Sequence, residues 1–269
     1  MPGRVAAATV DHGLRAESAG EARHAAAICA ALSVPHAVIR VTPDKGNVQA
    51  MAREARYAGL AQHMSDLSLP ALATAHHADD QAETLLMRLN RGSGLSGLAG
   101  IRGCTHVPGT ELTLLRPLLR WQRAELAEIV EASPFDAVED PSNTDRAFDR
   151  VRIRDALAEA DWLDVPALAR SAQHLADAQE VLDCAVAAEM ADAVVLRDGL
   201  ARYRPAGPRA VRLAVLERLV GEIGGGAPRG GAIAKLIERL DAGEGGNVAG
   251  AMVTAQDGVW YVRPEPARR

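Results

Sequence analysis

Along its first 75 residues the chain alternates short apolar runs with longer mixed stretches. VAAATV (5–10) reads as a buried strand, and the loop DHGLR follows it. From about Glu17 to Leu32 the residues Ala26, Ile28 and Ala30 to Leu32 recur among polar neighbours, which predicts a helix. HAVIRV (36–41) is a second strand, and Asn47 is placed to cap a helix that runs to about Met64. LPALATA (69–75) is a third strand. Strands alternating with helices of this length predict an α/β fold, a mostly parallel sheet with helices on both faces. Ligands of such sheets bind beyond the carboxyl ends of the strands. That rule places DHGLR and the run HHADD (76–80) on one rim of one sheet.

After Gly94 the pattern changes. RGSGLSGLAGIRG is a glycine-rich connection, WQRAELAEIVEAS predicts a helix behind LLRPLL, and EDPSNTDRAFDRVRIRDAL passes from a turn into a helix studded with arginine. Beyond about Asp164 the chain is helical and alanine-rich, and GPRAVRLAVLERLVGEI and GAIAKLIERLDAG add two more helices. GAMVTAQDGVWYVR is two β-like runs around Asp-Gly, a hairpin signal. Two domains are expected: an α/β domain over 1–160 and a mainly helical one over 161–269 that ends in the hairpin.

Composition narrows the class. With 48% hydrophobic and 24% charged residues the chain is an ordinary globular protein. No run approaches the roughly 18–20 apolar residues of a membrane span, and MPGRVAAATVDHG is too short and too soon acidic for a signal peptide. Cys29, Cys104 and Cys184 form no CxxC pair, which suits a reducing cytoplasm and argues against a zinc ribbon or iron–sulfur cluster. A net charge of −5 does not by itself point to nucleic acid. The basic residues are nearly all arginine, Lys45 and Lys235 being the only lysines. A GC-rich genome explains that bias as readily as the forked phosphate contacts arginine makes.

The densest chemistry lies in TAHHADDQAETLLMRLNRGSG (74–94), where two histidines, two aspartates and a glutamate fall within eight residues. Carboxylates in the first turn of a helix offset its positive end, which accounts for Asp79, Asp80 or Glu83 taken singly. It does not account for His76 and His77, which are poor caps. At helical spacing His76, Asp79 and Glu83 share a face, while Leu85, Leu86 and Leu89 serve the core. The set suits a Mg²⁺–phosphate site or an acid–base site, and its spacing is not the HExxH of a zinc protease. Three weaker constellations follow: Arg53, Arg56 and Tyr57 within one helical turn; Arg116 beside Pro117; and Arg146, Arg150, Arg152 and Arg154 interleaved with Asp145, Asp149 and Asp155. A solvated face with Glu54 balancing charge accounts for the first, a charge-laced helix explains the last as well as RNA phosphate binding does, and none of the three is specific by itself.

Taken in order, VDHGLR, NVQAMAREARY, TAHHADDQAETLLMRLNRGSGLSGLAGI, RPLL and EDPSNTDRAF…RIR closely resemble the motif series of tRNA(Ile)-lysidine synthetase, over about residues 5–155. The resemblance implies a PP-loop ATP pyrophosphatase domain followed by helical tRNA-binding parts. It implies ATP and Mg²⁺ as cofactors, free L-lysine and tRNA(Ile) with a CAU anticodon as partners, and a cytoplasmic enzyme; a homodimer is left open. The implied reaction adenylates the C2 oxygen of the wobble cytidine, and the lysine ε-amine then displaces AMP. By the same resemblance His76, His77, Asp79 and Glu83 are catalytic, with Asp79 on a metal or on lysine. The base stays open between the histidines and Glu83. Val10, Asp11 and His12 lie near ATP, and Arg53, Arg56, Arg88, Arg91 and Arg116 face ATP or tRNA phosphates.

Two departures qualify this expectation. The SGGxDS phosphate loop that precedes the VDHG strand in the family is absent, with only MPGR ahead of that strand, and GGGAPRGG (224–231) lacks its serine–aspartate pattern. The chain is therefore read as a truncated PP-loop fold. Val151 stands where many members have asparagine. The alternatives are a tRNA-binding remnant without activity and a metal-dependent phosphohydrolase, which would need further ligand clusters. Sulfur-inserting relatives fit less well, because they rely on paired cysteines.

Overall fold

The computed structural model describes residues 5–11, 18–41, 48–138, 145–228 and 230–266. His12, the Asn47 cap and the whole EDPSNT run (139–144) fall outside them. Two compact units divide the chain, Met1–Gly92 with Gly100–Gln173 and Ser93–Ala99 with His174–Arg269.

In the first unit, β1 (Ala7–Asp11) and β2 (His36–Arg40) pair in parallel, joined by α1 (Ser18–Ala31). Helix α2 (Val48–Asp66) leads to β3 (Ala71–Ala73), which pairs in parallel with β5 (Thr113–Leu115); β4 (Cys104–His106) lies antiparallel on the far side of β5. Helices α3 (Ala78–Asn90), α5 (Arg123–Glu131) and α6 (Asp149–Glu159) complete the unit, and the four-residue α4 (Leu95–Leu98) belongs to the second. The α/β class and the mostly parallel pairing agree with the sequence pattern. The single sheet does not: among the described residues the strands form two ladders, β1–β2 and β3–β5–β4. The run LTLLRPLL supplies a three-residue strand, with Leu114 buried, that occupies one edge of β3, and no described strand bridges the other edge of β3 to β1 or β2. Helix α2 touches β1, β2 and β3, so one helix covers both ladders. Its Tyr57 and Ala61 form a small core with Val107 and Leu114.

In the second unit, helices α8 (Arg209–Gly224) and α9 (Gly230–Asp241) pack with the end of α7 (Val165–Ala193) against five antiparallel strands. The strand order is β6 (Val194–Arg197), β7 (Leu200–Tyr203), β10 (Val259–Pro264), β9 (Ala251–Gln256), β8 (Gly246–Val248). The expected hairpin is β9–β10, and it is the centre of a larger sheet. The run VVLRDGLARY (194–203) carries the same Asp-Gly signal and forms a second hairpin. Both turns place aspartate and glycine at positive φ, Asp198 and Gly199 in one and Asp257 and Gly258 in the other. Val215, Leu216, Leu219 and Ile237 are sealed against Tyr203, Val253, Trp260 and Val262, and the Tyr203 and Trp260 rings meet edge-on at 5.4 Å. Within the described residues, no helix is long and apolar enough to cross a membrane.

Candidate active site

The acidic–histidine run occupies the carboxyl end of β3 and the first turn of α3. Arg116 leaves the carboxyl end of the adjacent parallel strand β5, so the two motifs meet on one rim. The amide of Thr74 donates to the Leu115 carbonyl at 2.9 Å, which extends the ladder to the brink of the site. The residues after Arg116 fold back over the start of α3. Ala78 N donates to the Trp121 carbonyl at 2.8 Å, and Arg123 N donates to Asp79 Oδ2 at 2.7 Å. Asp79 thus satisfies the first amide of α5 while belonging to the first turn of α3. Asp80 accepts from His77 N at 2.9 Å across the same turn. A glutamine anchors the other side: Gln81 donates to the Ile101 carbonyl and accepts from Ile101 N at 2.6 Å. Gly100 lies so close to it, at φ 66°, that a Cβ there would stand 2.4 Å from Gln81 Oε1.

His76 sits at the centre of the rim. Its Nδ1 lies 3.0 Å from Thr74 Oγ1, leaving Nε2 for a ligand. Burial lowers its pKa; the Asp80 carboxylate opposes that, and the charges of Arg116, Arg150 and Arg53 reinforce it. The imidazole is therefore neutral at physiological pH, with cations from three elements around it. Arg116 is nearly buried. Its Nη1 donates to the Arg102 carbonyl at 2.6 Å, and its Nε is buried with no partner among the described residues. His77 Nδ1 is likewise buried without a hydrogen bond, 3.4 Å from Asp79 Oδ2.

Glu83 takes a different position from its neighbours. It is 1% exposed and faces α6, where its carboxylate accepts from Arg150 Nε at 2.5 Å and Arg154 Nε at 2.7 Å. Arg150 also donates to Asp80 Oδ1 at 2.6 Å, so one guanidinium ties two acidic side chains of α3 to α6. The hydrogen bond to Glu83 raises the pKa of Arg154. His76, Asp79 and Glu83 therefore do not converge on one point: Asp79 turns to α5 and Glu83 to α6. The remaining arginines of α6 and its lead-in are also neutralised internally. Arg146 pairs with Asp155, and Asp149 accepts from both Arg91 and Arg152, which lowers the Asp149 pKa.

The other sequence-picked residues are more dispersed. Arg53 is exposed and lies over the Tyr57 ring, 5.1 Å from its centroid. Arg56 is exposed on the same helix, and Arg88 is half-buried on α3. Arg91 and Arg152 line a cleft of about 230 Å³. Val10 and Asp11 end β1, where Asp11 accepts from Ser18 Oγ at 2.7 Å. Sequence reasoning had not singled out Arg150 and Arg154 as part of the site. The signal was present as complementary spacing, acids at 80 and 83 on one helix and arginines at 150 and 154 on another.

No three His, Cys, Asp or Glu side chains among the described residues are grouped to hold a metal ion by themselves. Mg²⁺ commonly takes one or two carboxylates and completes its shell with water and substrate phosphates, so the absence of such a group is compatible with that ion. Asp79 fits the part, since among the described residues only its Oδ2 is engaged and its side chain is 29% exposed.

Residues 2–161 match the PP-loop domain family. The tRNA(Ile)-lysidine synthase of Novosphingobium aromaticivorans is 46% identical over 265 residues, covering 97% of this chain and 81% of that protein. That of Zymomonas mobilis is 40% identical over 275 residues, covering 98% and 82%. Among solved structures, the U34-tRNA thiolase NcsA from Methanococcus maripaludis with its 4Fe-4S cluster is similar in fold. Its TM-score is 0.51 at 15% identity, over 64% of this chain and 60% of that one.

Proposed function

The chain belongs to the PP-loop family and, within it, to the tRNA(Ile)-lysidine synthases, and from that premise we propose that it joins free L-lysine to C2 of the wobble cytidine in a tRNA(Ile) with a CAU anticodon, consuming ATP. The C2 oxygen of cytidine attacks the α-phosphorus of ATP, and pyrophosphate leaves. The ε-amine of lysine then attacks C2, the C2–O bond breaks, and AMP departs with the oxygen. The amine gives up its protons on the way.

The observation that carries this reading is the rim on which His76, Asp79 and Arg116 meet at the carboxyl ends of β3 and β5. Arg53 and Arg116 offset phosphate charge during adenylation without protonating the imidazole near them. Arg116 is pre-organised by its bond to the Arg102 carbonyl and spends little entropy on meeting a phosphate oxygen. His76 Nε2, unprotonated and not engaged by Thr74, takes the proton of the attacking amine. Mg²⁺, when bound, supplies charge screening at the phosphates, and Asp79 is the residue to hold it. Glu83 is an anchor for α6. Residues 1–160 form the catalytic part, and 161–269 the tRNA-binding part.

The test uses this chain with the family's strand–SGGxDS–helix segment joined ahead of Val5, incubated with ATP, labelled lysine and a tRNA(Ile) transcript. Lysine label in the tRNA is the expected result, with His76→Ala lowering its rate by about 10²–10⁴. No label at any enzyme concentration overturns the proposal.

A further inference from the structure

The five-stranded sheet of the second unit has two unlike faces. Register assigns Tyr203, Val253, Trp260 and Val262 to one of them, where α8 and α9 cover them. The other face carries the alternate residues. One row across it reads Val195, Arg202, Tyr261, Thr254, each directly opposite the next in register. The adjacent row sets Arg197 opposite Leu200 and Arg263 opposite Met252. Arg197, Arg202 and Arg263 are exposed, as is Arg204 just past β7, and Tyr261 is half-buried between them.

The pairing of the arginines separates this face from the rest of the unit. On the helices, Arg209, Arg212, Arg218 and Arg239 each have a carboxylate within reach: Glu238, Asp241, Glu222 and Glu244. Arg197, Arg202, Arg204 and Arg263 have none among the described residues; Arg263 donates only to the Met252 sulfur. The carboxylate nearest in register, Glu265, is taken up by Asn247. In a chain of net charge −5, four arginines without counter-charges around an aromatic ring on an open sheet face form a local positive field. Arginine forks match phosphodiester oxygens, and a tyrosine ring offers a stacking platform for a base.

We infer that this face, built on Arg197, Arg202, Arg204, Arg263 and Tyr261, is an RNA-docking surface. It rests on the proposed function for the identity of the RNA, a tRNA, and adds the place on the second unit that grips it. The contacts are to backbone phosphates and one base face, so they contribute affinity and little sequence discrimination.

Filter binding of the 269-residue chain to a tRNA transcript across a KCl series tests this. Arg202→Gln/Arg263→Gln is compared with Arg218→Gln/Arg239→Gln, which removes the same charge from carboxylate-paired positions. The sheet pair should weaken binding at least about tenfold near 0.1 M salt and reduce the log–log salt slope by about 1–2, and the helix pair should change neither appreciably. Arg202→Lys/Arg263→Lys should recover most of the affinity, which loss of folding would not allow. Equal effects of the two glutamine pairs, or none from the sheet pair, overturn the inference. Lysine transfer is read separately with the loop-bearing form. Transfer that proceeds while the sheet pair binds as wild type sinks the surface alone. Absent transfer with an intact sheet-pair effect sinks the proposed reaction alone.

Discussion

At the residue scale, environment separates the members of the acidic–histidine run: His76 lies near arginines at the rim, and Glu83 lies in a buried ion pair. The sequence placed His76, His77, Asp79 and Glu83 together, and nothing in the spacing distinguished a buried ion pair from an open base. That distinction comes from α6, some 70 residues away, whose arginines take Glu83 out of solvent. Glu83→Ala would leave Arg150 and Arg154 without their buried partner, at a cost of about 2–4 kcal/mol, with Arg150 partly rescued by water. Urea unfolding measures it; wild-type stability with loss of lysine transfer would instead make Glu83 the base. His76 behaves differently with pH. Its folded pKa lies below the usual 6.5, so its contribution to stability is complete above the unfolded value and is lost as pH falls through the folded one. The acid limb of lysine transfer should accordingly fall below pH 6.5. A pH–rate profile checks it, and His76→Gln should abolish that limb along with most of the rate.

At the scale of elements, helices and hairpins were legible where local rules suffice. Helix α8 was read from its apolar pattern, and β9–β10 from Asp-Gly. The three-residue strands β3, β4 and β5 were legible only in part, because such short strands exist through their partners and carry too few residues for a period. The split of the parallel strands into two ladders was invisible for the same reason. The glycine run after α8 has a packing explanation. Gly225 closes the helix at φ 70°, and Gly224 and Gly250 bring two backbones together, a Cβ on Gly250 standing 2.4 Å from Gly224 O. Gly250→Ala should therefore cost about 3 kcal/mol, from strain at φ 82° plus that collision. Gly243→Ala, at φ 80° with nothing within 4 Å, should cost only about 1 kcal/mol. Thermal unfolding of the two variants compares them, and equal shifts would mean that the turn relaxes freely.

At the scale of the whole molecule, the proposed chemistry and the proposed grip fall on separate units, and that separation has a kinetic consequence. In the proposed reaction His76 and its arginines act on charge that develops during reaction, so their loss is a loss of transition-state stabilisation. The sheet arginines meet phosphates that are the same before and after the wobble base is modified, which is uniform binding. In the lysine-transfer assay, Arg202→Gln/Arg263→Gln should raise KM for tRNA about tenfold or more and leave kcat within about twofold. His76→Ala should lower kcat and leave KM for tRNA nearly unchanged. Among the described residues the two sets share no side-chain partner, so combining them should multiply their effects on kcat/KM, the free energies adding to within about 0.5 kcal/mol. Steady-state kinetics of the wild type, the two variants and their combination close the cycle. A coupling well above that figure, or a fall in kcat from the sheet pair alone, would mean that the tRNA held on the sheet also orders the catalytic rim, and that binding and chemistry are not separable in this enzyme.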